Sequence, residues 1–447
     1  MITNYKSYPA YKDSKVSWIG KIPSDWEISK LKFQTNINKN TLAENTDPFY
    51  EIQYVDIGNV DSNGEIGELQ KYCFEQAPSR ARRIVKNGDT LVSTVRTYLK
   101  AITSVKEAPN NLICSTGFAV LTPKNGMDSL YLSYLVRSDI YIDEIVSRSV
   151  GVSYPAINAS EIGELECILP DLKTQEKIGG FLEKKTNDIK LLINGKQKLI
   201  ELLEERRQVM ITEAVTKGLN PNVKMKDSDV KWIGEIPEHW KKTRLDFIAR
   251  VKARLGWKGL KAEEYVNEGY IFLATPNLKG RNIDFKNVNY ITEERYLESP
   301  EIMLEKGDVL LAKDGSTLGI TNVVRELPSK ATVNSSIAVL RPKELIDSIY
   351  FYYYLSSTYI QDIINQIKDG MGVPHLFQAD IKKFPITLPP LFEQKEIAKH
   401  IDGQVQNIDS LIETIKVQIQ QLKDYRQSLI YEAVTGKIDV RDFKVES

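Results

Sequence analysis

The chain has 447 residues and carries 60 Lys plus Arg against 60 Asp plus Glu. With 42% hydrophobic and 27% charged residues, the composition favours folded globular domains over disorder, and the length suits two or three of them. The zero net charge excludes a uniformly basic nucleic-acid coat, although a local basic patch fits within a balanced total.

Membrane and metal functions are not indicated. The first residues are polar, and no uncharged apolar run reaches the roughly 18 residues that a membrane span needs. Cys73, Cys114 and Cys167 are isolated, so they predict neither a zinc site nor a disulfide framework. We therefore expect a cytoplasmic protein with no membrane contact.

Internal similarity divides the chain into two copies of one module. Residues 18–26 (WIGKIPSDW) return as 232–240 (WIGEIPEHW), at an offset of 214. Later matches, from Gly88 with Gly307 to residues 213–216 with 432–435 (both EAVT), keep an offset of 219. A period this long indicates a whole duplicated module rather than a solenoid repeat.

Each module begins with a mixed pattern of strands and short helices. Residues 84–95 and 303–312 predict strand, Gly-Asp turn and strand. Further strands are predicted over 112–121 and 331–340, and short helices over 129–135 and 348–355. The aromatic run 350–354 suits either a base-stacking platform or a domain core, and the core is favoured because large aromatics are usually buried.

Each module ends in one long helix. No proline interrupts residues 175–216 or 394–435. A coiled-coil stripe recurs every seven residues, at Leu182, Ile189, Lys196, Leu203 and Met210 and again at Ile401, Ile408, Ile415, Leu422 and Leu429. Because a short linker, residues 217–229, leads from the first helix into the second module, the second helix can pack along the first only by running back.

These patterns predict an α+β fold. Two similar mixed α/β domains are expected, separated by two long antiparallel α-helices in a pseudo-two-fold internal repeat. There is no Walker motif, no Rossmann glycine fingerprint and no Asn-Pro-Pro-aromatic methyltransferase motif, and the three histidines are scattered. We therefore predict no catalytic residue, no metal site and no cofactor on this chain.

The motifs together resemble the specificity subunit of type I restriction–modification enzymes. Both copies carry Trp-Ile-Gly-x-Ile-Pro-x-x-Trp and Gly-Asp-x-Leu, and a Leu-Pro-Pro-Leu-x-Glu-Gln motif opens the second long helix at 388–394. The first copy of that motif, 169–175 (LPDLKTQ), departs at Asp171 and Thr174. The resemblance covers residues 16–437, nearly the whole chain.

The resemblance implies a division of the chain and a non-catalytic function. The parts are an N-terminal arm (1–15), target recognition domain 1 (16–170), spacer helix 1 (171–219), target recognition domain 2 (220–389), spacer helix 2 (390–437) and a C-terminal tail (438–447). Each recognition domain would read one half of a bipartite, asymmetric target in double-stranded DNA. The helices would dock two methyltransferase subunits, which carry S-adenosylmethionine and methylate adenine at N6, and restriction subunits would complete the nuclease and translocase.

Local basic patches suggest where DNA is contacted. Residues 80–100 carry a net charge of +5, and arginine suits both guanine and phosphate. The predicted DNA-binding residues are Arg80, Arg82, Arg83, Arg96, Tyr98, Lys100, Arg148 and Tyr154 in the first domain and Lys279, Arg281, Lys313, Ser316, Lys368 and His375 in the second. The alternative for each is an ordinary solvated surface charge. Arg206, Arg207 and Arg426 are predicted as exposed helix residues that contact partners or solvent.

Two other functions compete with DNA recognition. One is a coiled-coil adaptor without DNA specificity, which predicts no salt-dependent affinity for DNA. The other is a fused restriction enzyme, which would need the methyltransferase motifs that this sequence lacks.

Overall fold

A computed structural model describes residues 5–230, 233–254, 260–369 and 374–443. The chain forms two compact units, Met1–Lys196 with Lys416–Ser447, and Gln197–Ile415. Each unit therefore contains one globular domain together with part of both long helices. No helix in the described ranges is long and apolar enough to cross a membrane.

Among the described residues of the first unit, twelve strands and four short α-helices precede the long helix. The strands are β1 (Tyr11–Asp13), β2 (Lys21–Pro23), β3 (Glu27–Lys30), β4 (Thr35–Ile37), β5 (Glu51–Val55), β6 (Gln70–Cys73), β7 (Ala81–Ile84), β8 (Thr90–Ser93), β9 (Ile102–Ser104), β10 (Leu112–Ser115), β11 (Phe118–Pro123) and β12 (Glu166–Leu169). The helices are α1 (Leu31–Gln34), α2 (Ser129–Arg137), α3 (Asp139–Arg148) and α4 (Ala159–Gly163), and the long helix is α5 (Leu172–Lys217).

Two four-stranded sheets build the globular domain of the first unit. One has the order β6-β5-β10-β7, with β5 and β10 parallel, and the other is the antiparallel sheet β4-β11-β8-β9. Strand β8 is buried along its whole length, so the small hydroxyl residues Thr90 and Ser93 at its ends are buried together with Leu91 and Val92. The core includes Trp26, Tyr131 and Tyr141, and Leu429 and Val434 of the second long helix join it.

The second unit repeats this architecture. Its strands are β13 (Met225–Asp227), β14 (Glu235–Pro237), β15 (Lys241–Arg244), β16 (Ala249–Lys252), β17 (Tyr270–Leu273), β18 (Asn289–Ile291), β19 (Val309–Ala312), β20 (Thr321–Val323), β21 (Ala331–Val333), β22 (Ile337–Pro342) and β23 (Pro385–Leu388). Its helices are α6 (Leu245–Ile248), α7 (Glu293–Leu297), α8 (Ser348–Ser356), α9 (Thr358–Asp369) and α10 (Gln378–Ile381), followed by the long helix α11 (Leu391–Val434).

The strand orders confirm the internal repeat. The sheet β16-β22-β19-β20 corresponds to β4-β11-β8-β9, and β18-β17-β21 corresponds to β6-β5-β10, again with one parallel pair. Within the described residues, the sheet β18-β17-β21 has no strand that corresponds to β7. The strand predicted at the start of 303–312 would have been that counterpart, so this prediction is wrong. Met303 follows directly on a 3-10 turn, Pro300–Ile302, and Leu304 makes a single backbone hydrogen bond to Ala331 (2.9 Å) instead of a ladder.

The aromatic run 350–354 lies in the core of the second domain, which is the alternative that the sequence favoured. Tyr350, Phe351, Tyr353 and Tyr354 are buried, and the Tyr350 hydroxyl donates to the backbone carbonyl of Val215 on α5 (3.1 Å). This hydrogen bond and the apolar packing tie the domain to the end of the long helix.

The two long helices are confirmed, and they run antiparallel within each unit. In the first unit, Lys196 of α5 donates to Gln418 of α11 (2.7 Å), while residues near position 180 pack with residues near position 430. In the second unit, Arg207 pairs with Asp409 (2.5 Å). Helices α5 and α11 have 46 and 44 residues.

A buried glutamine fixes the start of each long helix. The side chain of Gln175 accepts from the backbone N–H of Asp128 (3.0 Å) and donates to the carbonyls of Gly126 (3.0 Å) and Pro170 (2.9 Å). Gln394 makes the equivalent three bonds in the second unit. The glutamine that ends each Leu-Pro motif is therefore a structural residue, because it satisfies backbone groups where the helix joins its domain.

Candidate nucleic-acid interface

Three backbone hydrogen bonds gather the loops of Arg80, Arg96 and Tyr154 at one edge of the first domain. The Thr116 N–H donates to the Arg80 carbonyl (2.8 Å), and the Arg96 N–H donates to the Pro155 carbonyl (2.7 Å). The turn after β10 links the two pairs, since the Thr94 N–H donates to the Gly117 carbonyl (2.8 Å). Residues predicted from separate sequence segments thus meet on one surface.

Arg96 and Tyr154 form the centre of this edge. The guanidinium carbon of Arg96 lies 4.7 Å from the centroid of the Tyr154 ring, a cation–π contact. Tyr154 is 64% exposed and neighbouring Tyr98 is 52% exposed. Within the part of the chain that the structure describes, Arg96 has no carboxylate partner. Because Arg96 is also exposed, its N–H groups are available to a ligand.

The three arginines of residues 80–83 differ in exposure. Arg80 is exposed, whereas Arg82 is half-buried and stacks on Phe74, 4.6 Å from the ring centroid. Burial lowers the pKa of the Arg83 guanidinium, and its Nε has no hydrogen-bond partner among the described residues. Arg80 is the member of this segment that presents an open charge.

Lys100 and Arg148 have carboxylate partners within the domain. The Lys100 Nζ lies 3.2 Å from Asp139, and Arg148 lies 2.6 Å from Glu144 and 3.7 Å from Glu166. A DNA phosphate that approached either cation would therefore compete with its carboxylate partner.

The second domain builds its loops on the same backbone scaffold. The Lys313 N–H donates to the Ser336 carbonyl (2.8 Å) and the Gly315 N–H to the Pro374 carbonyl (3.0 Å). These bonds match those of Thr94 and Arg96 at the same sequence offset that relates the later motifs of the two copies.

The side chains on that scaffold are different. Asp314 accepts from the Lys313 Nζ (3.2 Å) and hydrogen-bonds the His375 Nδ1, and the His375 ring packs edge-on against Phe377, with centroids 4.5 Å apart. Ser316 is exposed in the short turn beside them. The corresponding positions of the first domain, Val95 and Ala156, hold no polar side chain. The two surfaces therefore share geometry but not chemistry.

The other predicted residues of the second domain lie in different settings. Lys279 is exposed, whereas Arg281 pairs with Asp402 of α11 (2.9 Å). Lys368 lies in the last turn of α9. Its side chain and residues 370–373 of the predicted loop 368–375 lie outside the described residues.

Comparison with known proteins identifies the family. The family model described as "Type I restriction modification DNA specificity domain" matches residues 23–202 and 237–421. The chain belongs to this family.

Its relatives align over different shares of their length. The chain is 28% identical to the putative type I restriction enzyme MjaX specificity subunit of Methanocaldococcus jannaschii, covering 96% of this chain and 98% of that protein. It is 24% identical to the EcoKI specificity subunit of Escherichia coli K12 over 46% of this chain and 44% of the relative.

Solved structures share the fold of this specificity protein. A chain from a study of assembly and conformational transition of the type I R-M system aligns with a TM-score of 0.76 at 22% identity, covering 93% of this chain and 99% of that one. The HsdS subunit of Thermoanaerobacter tengcongensis aligns with a TM-score of 0.54 at 23% identity, covering 93% and 98%.

An exposed apolar stripe on helix α5 of the specificity subunit was not predicted from the sequence. Leu199, Leu202 and Val209 of α5 are 44%, 49% and 55% exposed and belong to the second unit. In the same unit a groove of about 430 Å³ runs between α5 and α11, lined by Leu203, Arg206, Met210, His400, Gln404, Asn407, Ile408 and Leu411. The sequence did contain a signal for this stripe. Leu202 and Val209 are seven residues apart, as on one face of a helix, but they do not occupy the positions that pack against α11.

Two of the helix arginines are not exposed charges, so that expectation is wrong. Arg207 is half-buried against Asp409, because it occupies a seam position, seven residues after Ile200. Arg426 donates to the side-chain oxygen of Asn63 (2.5 Å), and burial lowers the pKa of its guanidinium. Arg206, in contrast, is exposed on α5.

Proposed function

We propose that this chain is the DNA-reading subunit of a type I restriction–modification complex, with each globular domain reading one half of a bipartite, asymmetric target. One observation carries the proposal. The loop edges share their backbone hydrogen bonds at one constant sequence offset, yet present Arg96 and Tyr154 in one domain and Asp314 and His375 in the other. A shared scaffold with different side chains suits two DNA half-sites of different sequence.

The long helices are proposed as the docking surface for two methyltransferase subunits. The exposed leucines of α5 and the groove beside Arg206 support this part, because exposed apolar stripes mark interaction sites. In this proposal the partners carry S-adenosylmethionine and methylate adenine N6, restriction subunits join the complex, and this chain supplies no catalytic group. The assembly would work on DNA in the cytoplasm.

The test uses the chain assembled with a type I methyltransferase subunit from the same host. Methylated positions are mapped by single-molecule sequencing of a host that carries both genes. The affinity for a duplex containing the mapped target is then measured against salt. We expect a two-part target with modified adenines on opposite strands, and an affinity that falls steeply with salt. Methylation without a sequence pattern, or binding indifferent to both sequence and salt, would instead favour a coiled-coil adaptor.

A further inference from the structure

The loop that carries Arg96 contains two non-glycine residues in the left-handed backbone region. Arg96 has φ 51° and Lys100 has φ 56°, one on each side of the short turn Thr97–Leu99. The equivalent residues of the second copy are both glycine, Gly315 with φ 65° and Gly319 with φ 93°. The two domains therefore use the same backbone conformation, but only the second uses the residue type that adopts it without strain.

The presence of side chains at Arg96 and Lys100 has to be explained, because glycine would adopt the same loop conformation with less strain. At Gly315 an added Cβ would meet no atom within 4 Å, so crowding is not what separates the two copies at this position. Non-glycine residues in this region concentrate at functional sites, where the side chain outweighs the strain.

Lys100 has a visible structural role, and Arg96 does not. Lys100 lies 3.2 Å from Asp139 at the start of α3, an ion pair within the domain. Among described residues Arg96 contacts the exposed ring of Tyr154, and this cation–π contact does not use the N–H donors of the guanidinium. A guanidinium placed in this way presents a planar pair of N–H donors, which suits two parallel hydrogen bonds to one ligand.

The surroundings favour a base edge over a phosphate. Val150 and Val152, on the loop before Tyr154, are largely or wholly exposed, and so in part are Tyr98 and Leu99. An apolar rim around one guanidinium complements base edges and thymine methyl groups in the major groove better than it complements the charged DNA backbone.

We infer that Arg96, held on Tyr154, reads a guanine in the half-site of the first domain, and that the second domain has no equivalent reader because Gly315 occupies that position. This inference rests on the proposed function. Arg96 is the residue that contacts the base, and Tyr154 is the positioning residue behind it.

The test compares Arg96→Gly with Lys100→Gly in the assembled methyltransferase complex. Binding is measured on duplexes in which each base pair of both half-sites is changed in turn, and thermal unfolding is recorded alongside. Arg96→Gly should reduce discrimination roughly 5- to 150-fold at one G·C pair of the first half-site only. Its thermal midpoint should stay the same or rise, because glycine relieves the strained backbone.

Lys100→Gly is the matched control, since it has the same backbone conformation in the same loop. Lys100 is paired with Asp139, so any DNA contact that it makes is assigned to phosphate. Its loss would lower affinity equally on every duplex and should leave base discrimination unchanged. Tyr154→Leu should weaken discrimination at the base pair that Arg96→Gly affects and at no other, which a purely structural tyrosine would not do.

Other outcomes overturn the inference. A uniform loss of affinity on every duplex would make Arg96 a phosphate contact. A lower thermal midpoint with discrimination intact would make it a structural residue. If the unsubstituted complex does not distinguish DNA sequences, the proposed function fails first, whereas discrimination that survives Arg96→Gly overturns only the role of Arg96.

Discussion

Asp402 on α11 collects three donors from the globular domain of the second unit. Its carboxylate accepts from Arg281 (2.9 Å), Arg325 (3.0 Å) and the Tyr353 hydroxyl (2.6 Å). Charge-assisted hydrogen bonds of this kind fix orientation as well as contributing stability. Arg281 therefore holds the domain on the long helix.

The first unit has the same arrangement at the equivalent positions of the repeat. Glu183 of α5 accepts from the Tyr134 hydroxyl (3.0 Å) and pairs with Lys106. A carboxylate on a long helix, bonded to a tyrosine and a cation of the domain, thus recurs in both units. We call this arrangement the carboxylate clamp.

Removing the charge of Asp402 should loosen the second unit. Asp402→Asn leaves Arg281 and Arg325 without their carboxylate, so we expect a loss of about 1–3 kcal/mol in unfolding free energy, at the lower end because the site is partly exposed. Denaturant unfolding measures the loss. Glu201→Gln, which removes an exposed ion pair with Lys198, is the control and should change stability little. Equal effects of the two substitutions would contradict the clamp.

The same clamp predicts a pH dependence. Burial alone would raise the pKa of the Asp402 carboxyl, but the Tyr353 hydrogen bond and the charges of Arg325 and Arg281 outweigh burial and lower it below its usual range. A lowered folded-state pKa contributes stability that is complete above the ordinary aspartate pKa and is lost as pH falls through the lowered value. The difference in unfolding free energy between the unsubstituted chain and Asp402→Asn should therefore stay constant from about pH 7 to about pH 5 and shrink as the pH falls below about 4. A difference that grows on acidification would refute this assignment.

At the scale of elements, α5 has two apolar faces in the second unit. One is the seam with α11, where Ile200 is buried, and the other is the exposed stripe of Leu199, Leu202 and Val209. A helix that packs on one side only usually has polar residues on the opposite side. Because the opposite side of α5 is apolar, we expect a partner to cover it. The equivalent positions of α11 are polar, namely Gln418, Gln421 and Ser428. The two proposed docking sites thus differ in chemistry.

Charges on the exposed stripe should interfere with assembly but not with folding. Leu202→Asp combined with Val209→Asp should leave the thermal midpoint nearly unchanged, because both side chains are about half exposed. The mass of the complex should then show one bound methyltransferase subunit instead of two, since the α11 face lacks this stripe. Glu201→Lys, on the same helix, is the control and should keep both subunits. Two subunits bound at unchanged affinity by the double variant would exclude the stripe from docking.

Features encoded by local spacing were predictable from the sequence, and features that depend on distant partners were not. The repeat and both long helices follow from motif offsets, a heptad stripe and the absence of proline. The role of Arg281 was not predictable, because its partner Asp402 lies 121 residues away. The pairing of Arg207 was missed although its spacing, seven residues after Ile200, puts it in the seam. Its partner Asp409 lies 202 residues away and was not predictable from local spacing. The left-handed backbone at Arg96 has no signal in its own segment, although Gly315 in the other copy provides one.

At the scale of the whole molecule, the two long helices are the only described elements that run from one unit into the other. Helix length is therefore the variable that we propose sets the number of unread base pairs between the half-sites. Each helical residue adds about 1.5 Å, and successive base pairs are about 3.4 Å apart.

Four residues inserted into each helix, after Leu202 in α5 and after Glu413 in α11, test this proposal. The insertion adds about one turn, or about 6 Å, and nearly keeps the seam in register. The unread spacer should lengthen by about one or two base pairs, while both half-sites keep their sequences because neither loop edge changes. Four residues inserted after Asn220, in the linker outside both helices, should leave the spacer unchanged. Mapping methylated adenines in hosts that carry each variant measures both effects. Altered half-sites with an unchanged spacer would mean that the loop edges respond to the helices and that helix length does not set the spacing.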